Sequence, residues 1–364
     1  MEVLIMSMHN KTTTALLPFA SLSDWLVAPV RMALLSLALE LELPEIMTSA
    51  HALPLIADRL KQNSGEAADM ARLASLMDGM AAAGLAVKQN NAYTNSPFAG
   101  EYLCKSSPSY LGDMVASLSA MQHRNLTCLR ERLFGDDSHA AAKETETSLH
   151  NEAHWRQSLA GLAAYQKAGA ADTLARLITA LPDADNFTAM LDLGCGPGIT
   201  ALRTACLLPK LHFTLCDFPP VLEVARAEAE KTGMTGRISL RPGDFNTCDF
   251  GTGYNLVWAC QSLYYANNLS VFLARVYRAL LPGGLFVSVH EGVREGVAPT
   301  DLILSRLSLA MERQNVSLAQ GQMAAAAALA GLEPVQVHTV SMLFGEADME
   351  VFRKPFIVDA GDSE

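Results

Sequence analysis

A chain of 364 residues, half of them hydrophobic and 18% charged, is long enough for two domains with cores of their own. Its net charge of −11 argues against a nucleic-acid-binding face and against electrostatic attachment to anionic membranes. The seven cysteines, Cys104, Cys128, Cys195, Cys206, Cys216, Cys248 and Cys260, include no C-x-x-C pair, so they read as reduced thiols in a cytoplasmic protein.

The first twenty residues lack the basic start, apolar run and cleavage site of a secretory signal. Leu34–Leu43 is apolar, but with Glu40 and Glu42 it is too short and too charged to span a bilayer. Residues 20–105 read as a compact helical module. Helices are expected over Val30–Leu41, Ala52–Lys61 and Glu66–Ala83, the last with Met70, Leu73, Met77 and Met80 on one face. Gly84 ends it. Leu85–Lys88 and Ala92–Thr94 then flank Gln89-Asn90-Asn91 as a hairpin. Helices followed by a hairpin suggest a winged helix. Glu66, Asp69 and Asp78 against Arg72 make the third helix acidic, which favours packing or dimerisation over DNA binding.

Gly135–Ser148 is polar and reads as a loop, and Ala153–Leu181 as one long connecting helix. From residue 188 strand and helix alternate. Strands are expected over Thr188–Leu193, His212–Cys216, Arg237–Leu240, Asn255–Ala259 and Leu285–His290, with helices near 199–208, 220–232 and 269–281. This rhythm predicts an α/β domain, a mainly parallel sheet with helices on both faces, that binds its ligand beyond the C-terminal strand ends. Helices over Asp301–Gln314 and Leu318–Ala330 follow, then strands around Val335–Val340 and Met349–Arg353. The boundary between the domains is expected near residue 150, giving 1–150 and 151–364.

Three features coincide with strand ends. Leu191-Asp192-Leu193-Gly194-Cys195-Gly196-Pro197-Gly198 runs from a strand into a glycine-rich loop, where backbone without side chains lets a ligand come close. Asp217 follows the second strand, where a carboxylate can accept bonds from both hydroxyls of a ribose. Gly243-Asp244-Phe245 follows the third, where an acid beside an aromatic ring suits an adenine. The third glycine comes one residue too early for the dinucleotide pattern G-x-G-x-x-G, and Asp192 would repel a pyrophosphate, so S-adenosylmethionine fits better than a nicotinamide dinucleotide.

Residues 188–290 resemble the class I methyltransferases. From about residue 20 to 353 the chain is similar to the small-molecule O-methyltransferases of the caffeate and hydroxyindole type. The resemblance rests on Leu191–Gly198, Asp217-Phe218-Pro219-Pro220-Val221, Gly243-Asp244-Phe245 and Ala279-Leu280-Leu281-Pro282-Gly283-Gly284. It implies a Rossmann-like domain, an N-terminal winged-helix dimerisation domain, a homodimer and a small-molecule acceptor. It also implies cofactor contacts at Asp192, Gly194, Gly196, Gly198, Asp217, Phe218, Gly243, Asp244, Phe245, Cys260 and Gln261. Tyr165 and Gln166 would reach the cofactor from the connecting helix.

At two places the chain departs from that family. Where the family carries a histidine as general base, in a Leu-His-Asp-Trp element, this chain has Leu263-Tyr264-Tyr265-Ala266. A tyrosine, with an unperturbed pKa of about 10, is a poor base near neutrality but can orient an acceptor. Leu-Tyr-x-Ala-Asn is similar to the bacteriochlorophyll-type branch, which methylates carbon. The family's Gly-Gly-x-x-Arg-(Thr/Ser)-x-x-Glu landmark is also missing, replaced by Asn315–Met323. His290 and Glu291, at the end of the fifth strand, are the other candidates for catalysis. His150 and His154 share a helix face but have no evident third ligand, so no metal site is expected. The expected activity is methylation of a small aromatic or polycyclic acceptor, at oxygen or at carbon. The alternative is a cofactor-binding relative that acts as a cyclase, decarboxylase or sensor.

Overall fold

The computed structural model describes residues 22–126, 129–134, 152–290, 292–293 and 317–356, together with Leu307 and Met311. Glu291, His150, the His154 side chain, the loop 135–148 and most of the helix expected over 301–314 lie outside the described residues.

The chain divides into two units after Leu103, earlier than the expected boundary near 150. The reason lies in helix α6 (Gly112–Leu126), which packs closely on α8 (Glu152–Tyr165) within the second unit. A Cβ on Gly161 of α8 would lie 3.3 Å from the Met114 side chain of α6. Helix α7 is Leu129–Phe134.

The first unit comprises α1 (Leu22–Glu40), α2 (Leu43–Ile46), β1 (His51–Ala52), α3 (Leu53–Ser64), α4 (Met70–Ala82), β2 (Ala86–Gln89), β3 (Ala92–Asn95) and α5 (Pro97–Tyr102). Helix α1 starts earlier than Val30 and runs through Pro29. It spans 19 residues with a mean hydropathy of 1.5, so by length and composition alone it could cross a membrane. Trp25, Leu26 and Val30 on it are exposed within this chain. Helix α4 starts at Met70, not Glu66, because the Asp69 carboxylate caps it, accepting from Arg72 N at 2.9 Å. Leu73, Met77 and Met80 are buried as their spacing predicts, whereas Met70 in the first turn is exposed. Asn90 and Asn91, both at positive φ, turn β2 into β3, and β1 pairs with β3 to give the order β1-β3-β2.

The second unit is built on a seven-stranded sheet of order β11-β12-β8-β7-β4-β5-β6. Strands β4 (Ala189–Leu193), β5 (His212–Asp217), β6 (Ile238–Pro242), β7 (Tyr254–Cys260) and β8 (Leu280–His290) are parallel. β12 (Gly345–Arg353) lies antiparallel between β8 and β11 (Glu333–Met342). Near-continuous apolar runs such as Leu256–Ala259 form these strands because both sheet faces are covered. Met190, Phe213, Leu215 and Trp258 pack under α9 (Ala171–Thr179), α10 (Ile199–Leu207) and α11 (Pro219–Lys231). Leu191, Leu193, Val257 and Phe286 pack under α12 (Leu269–Ala279) and α13 (Gln322–Leu329). Strands β9 (Gly292–Val293) and β10 (Leu318–Ala319) form a short separate pair.

The chain leaves β4 toward β5 and β6 on one side and then returns to β7 and β8 on the other. The C-terminal end of β4 is therefore the switch point at which such sheets bind ligands. The single helix expected over Ala153–Leu181 breaks into α8 and α9 around a wide turn, Gln166–Ala170, in which Gly169 has φ 126°. That break sets Tyr165 and Gln166 at the end of α8.

Candidate active site

The three glycines after β4 all have positive φ, 73°, 55° and 71° at Gly194, Gly196 and Gly198, but their surroundings differ. A Cβ on Gly194 would meet Ser262 Cβ at 2.6 Å, and one on Gly196 would meet Leu162 of α8 at 3.1 Å. A Cβ on Gly198 would press on Leu215 and Ala225 at 3.1 and 3.2 Å. Gly198 therefore lets α10 pack closely on β5 and α11, and Gly194 and Gly196 let Ser262 and Leu162 approach in the same way, so that the loop is a cradle of bare backbone at all three positions.

The acids close this cradle. Asp217 Oδ2 accepts from Gly196 N at 2.9 Å and Oδ1 from Phe218 N at 2.8 Å, which leaves each oxygen a second lone pair. Burial pushes the Asp217 carboxyl up to about 6, although those two N–H bonds oppose the shift. Asp192, buried in β4, is raised further, to about 8, by burial and then by the charge on Asp217. Asp192 is thus mainly neutral at pH 7 and lies beneath the loop rather than in it.

Gly243 N donates to Asp217 O at 3.0 Å, joining the ends of β5 and β6. Asp244 Oδ1 accepts from Asn246 N and Nδ2 at 2.8 and 3.0 Å, and Phe245 stands edge-on to Phe272 with ring centroids 5.5 Å apart. Two residues that sequence reasoning missed fix this loop. Asn246 bonds Tyr265 O at 3.1 Å and Asn267 N at 2.9 Å, tying the loop to the one after β7. Arg275 of α12 donates to Phe245 O at 2.7 Å, to Asn246 O at 2.8 Å and to Cys248 O, and it stacks on Phe250. The available signal is an arginine set among apolar neighbours in Phe272-Leu273-Ala274-Arg275-Val276.

The loop after β7 folds back over Gly194. Gln261 takes φ 53°, and its N–H reaches Val289 O at 2.9 Å. Cys260, before it, ends β7 partly buried. Ser262 Oγ donates to Leu193 O at 2.9 Å. His290, at the end of β8 and 4% exposed, accepts the Ser262 and Leu263 N–H groups on Nε2 at 3.0 and 2.9 Å. With Nε2 held as an acceptor, Nδ1 carries the proton and donates to Ser288 Oγ at 2.8 Å. The half-buried Tyr264 ring lies edge-on to His290 and Tyr265, at centroid distances of 6.0 and 4.6 Å.

At the start of the turn after α8, Gln166 brings a buried Oε1 that has no hydrogen-bond partner among the described residues. Lys167 beside it pairs with Glu228 of α11 at 2.8 Å, which anchors the turn. An orphaned acceptor, a bare-backbone cradle and two strand-end acids fit a ligand with a ribose, an adenine and a donor-rich amino-acid tail. Asp192, Gly194, Gly196, Asp217, Phe218, Gly243, Asp244, Phe245, Cys260, Gln261 and Tyr264 lie on or beside the ends of β4, β5, β6 and β7.

Comparison with known proteins gives that fit a chemistry. Residues 190–284 match the family model of a methyltransferase domain. Residues 190–284 are therefore a methyltransferase domain, and the enzyme uses S-adenosylmethionine as its cofactor. It is similar to the N,N-dimethyltransferase OxyT of Streptomyces rimosus, 25% identical over 84% of this enzyme and 89% of that one. Acetylserotonin O-methyltransferase of Mus musculus is 27% identical over 78% of this enzyme and 77% of its own length. The L-tyrosine C(3)-methyltransferase of Streptomyces lavendulae is 27% identical, over only 35% of its length. Among solved structures, human N-acetylserotonin methyltransferase in complex with SAM superposes with a TM-score of 0.72. That match has 18% identity and covers 94% of this enzyme and 99% of that chain.

Proposed function

We propose that this enzyme methylates a small aromatic acceptor, at oxygen in the first instance, with the cofactor held by strand-end acids and the acceptor oriented by Tyr264. S-adenosylmethionine, when bound, supplies an electrophilic methyl group on a sulfonium. Asp217 takes the ribose hydroxyls on its free lone pairs. Asp244 and Phe245 take the adenine, with Phe218 and Gly243 shaping its edges. Gly194, Gly196, Cys260, Gln261, Tyr165 and Gln166 line the amino-acid side. Neutral Asp192 and close-packed Gly198 support the loop from below.

Tyr264 offers the acceptor a hydroxyl that can donate or accept. His290 we read as a positioning residue and not as a base. Protonating Nε2 would set a third N–H against two backbone donors, so the ring is suited to holding the Tyr264 loop in place. Glu291 stays a candidate orienting acid. The single observation that carries the functional reading is the meeting of the glycine cradle, Asp217 and the Tyr264 loop at one switch point.

Oxygen is favoured because the acetylserotonin relative covers most of both chains and is named for O-methylation. Carbon is the second reading, favoured by Tyr264 in place of a base and by the tyrosine C-methyltransferase relative. The first unit serves as a winged-helix dimerisation domain. The exposed apolar residues Trp25, Leu26 and Val30 of α1 suit burial against a second copy rather than against lipid or nucleic acid. The enzyme works in the cytoplasm as a homodimer.

Incubation with methyl-labelled cofactor and a panel of phenols, hydroxyindoles and polycyclic hydroxyarenes tests the activity. Label in a phenol ether supports oxygen, and label on ring carbon supports the second reading. Cofactor binding with no label transferred to any of these classes contradicts both.

A further inference from the structure

The strand end that carries Asp217 and the loop that carries Asp244 also bring two thiols together. Cys216, fully buried at the end of β5, has its Sγ 3.6 Å from the Sγ of half-buried Cys248. The loop is built for this approach. Gly243 takes φ 150°, where a Cβ would come within 2.9 Å of Cys248 Cβ. Asp244 O accepts Cys248 N at 2.8 Å, and the Arg275 guanidinium holds Cys248 O. We propose that Cys216 and Cys248 are a peroxide-sensitive pair, with Cys248 the thiol attacked first and Cys216 the resolving thiol, and that their disulfide weakens cofactor binding.

The two sulfurs have unequal surroundings. The hydrogen bond shared with Cys216, and then the nearby Arg275 and Arg241, lower the Cys248 thiol to about 7 against the opposing effects of burial and Asp244. Cys216 is pushed up by that same bond and by burial. Cys248 is the more exposed sulfur and the one whose surroundings favour the thiolate, the reactive form, while buried Cys216 keeps its proton. With hydrogen peroxide as the two-electron oxidant, Cys248 sulfur bonds one peroxide oxygen, the O–O bond breaks, and hydroxide leaves to become water with a solvent proton. The resulting sulfenic acid is attacked by Cys216 sulfur. The S–S bond forms, the S–O bond breaks, and the departing hydroxide takes the Cys216 proton as a second water. A disulfide is about 2.05 Å long, so the sulfurs close by roughly 1.5 Å from their present 3.6 Å. Asp217 follows Cys216 directly, and Asp244 lies four residues before Cys248, so that closure changes the spacing of the two acids. This effect on binding rests on the cofactor reading above. The cross-link itself does not.

The full-length enzyme is treated with hydrogen peroxide, free thiols are blocked, and peptides are mapped by mass. The expected product is a Cys216–Cys248 peptide pair lighter by two hydrogens and restored by dithiothreitol. Cys216→Ser should leave Cys248 trapped as a dimedone-reactive sulfenic acid, and Cys248→Ser should leave Cys216 unoxidised. Circular dichroism confirms that each variant is folded. Oxidation of exposed Cys206 with the pair intact, or of Cys216 in Cys248→Ser, overturns the proposal. Calorimetry with S-adenosylhomocysteine should show at least fivefold weaker binding after oxidation in wild type and no change in Cys248→Ser. Equal affinity with the cross-link formed overturns the coupling. Failure of the reduced enzyme to bind S-adenosylhomocysteine would instead count against the cofactor reading and leave the cross-link result standing.

Discussion

The two halves of the site are made of different materials. In the proposed reading, the donor half is backbone and carboxylates at the ends of β4, β5 and β6, fixed by the sheet and, around Asp244, by Asn246 and Arg275. The acceptor half is a loop of side chains, Ser262 to Tyr265, laid over that half and held by His290, Ser288 and Asn246. A donor half set by the sheet can be shared by enzymes of many specificities. An acceptor half set by a few side chains can be changed without disturbing the fold. In the proposed reading Tyr264 is such a change, one that alters what can be done to the acceptor and leaves the cradle as it was.

The sharpest way to break this division is Asp217→Asn. It removes the charge facing the ribose, and the loss of charge-assisted bonds should weaken S-adenosylhomocysteine binding about a hundredfold, from roughly 2–3 kcal/mol, by calorimetry. A loss under threefold would show that the strand-end acid is not the anchor. Acid should imitate that variant. Burial raises the Asp217 carboxyl to about 6, and in the proposed reading its ionised form takes the hydroxyls, so affinity should hold above pH 6 and fall up to about tenfold per unit below it. A flat profile from pH 7 to pH 5 would assign the binding charge elsewhere.

On the acceptor side, Tyr264→Phe should lower kcat about tenfold or more while the S-adenosylhomocysteine Kd stays within twofold. Full activity on the acceptor would remove Tyr264 from the mechanism, and a parallel loss of cofactor affinity would merge the two halves. Gly198→Ala sharpens the distinction within the loop. It forces a side chain into positive φ against Leu215 and Ala225, so a loss of about 1–3 kcal/mol of stability is expected, with cofactor affinity little changed in the folded fraction.

Asp192 offers a test through stability and not through binding. Its pKa is raised in the folded state, so its ionisation opposes folding as pH rises toward about 8, and that cost is absent below the unfolded value near 4. Asp192→Asn should therefore raise the Tm of the cofactor-free enzyme at pH 9 and leave it nearly unchanged near pH 4. An equal shift at both pH values would mean that Asp192 acts through packing and not through charge.

The donor half was legible in the sequence because local pattern determines it. Buried parallel strands read as apolar runs, and Gly194, Asp217 and Asp244 mark where those runs stop. The acceptor half was less legible because long-range contacts determine it. Nothing near Ser262 announces that its hydroxyl reaches Leu193, and on the donor side too nothing near Arg275 announces that it clamps residues 245–248. His290 read as a candidate acid–base group from its place at a strand end, but its job depends on two N–H groups contributed 27 and 28 residues away. Helix α1 was foreshortened at Pro29, and the break at Gly169 was missed, because neither residue's backbone state can be read from its neighbours.

A crystal structure with S-adenosylhomocysteine bound tests the division most directly. The expected result is ribose hydroxyls within hydrogen-bond distance of Asp217, adenine between Asp244 and Phe245, and the Tyr264 hydroxyl facing the sulfur side of the cavity. Ribose held by another carboxylate, or Tyr264 turned away from the sulfur, would contradict it.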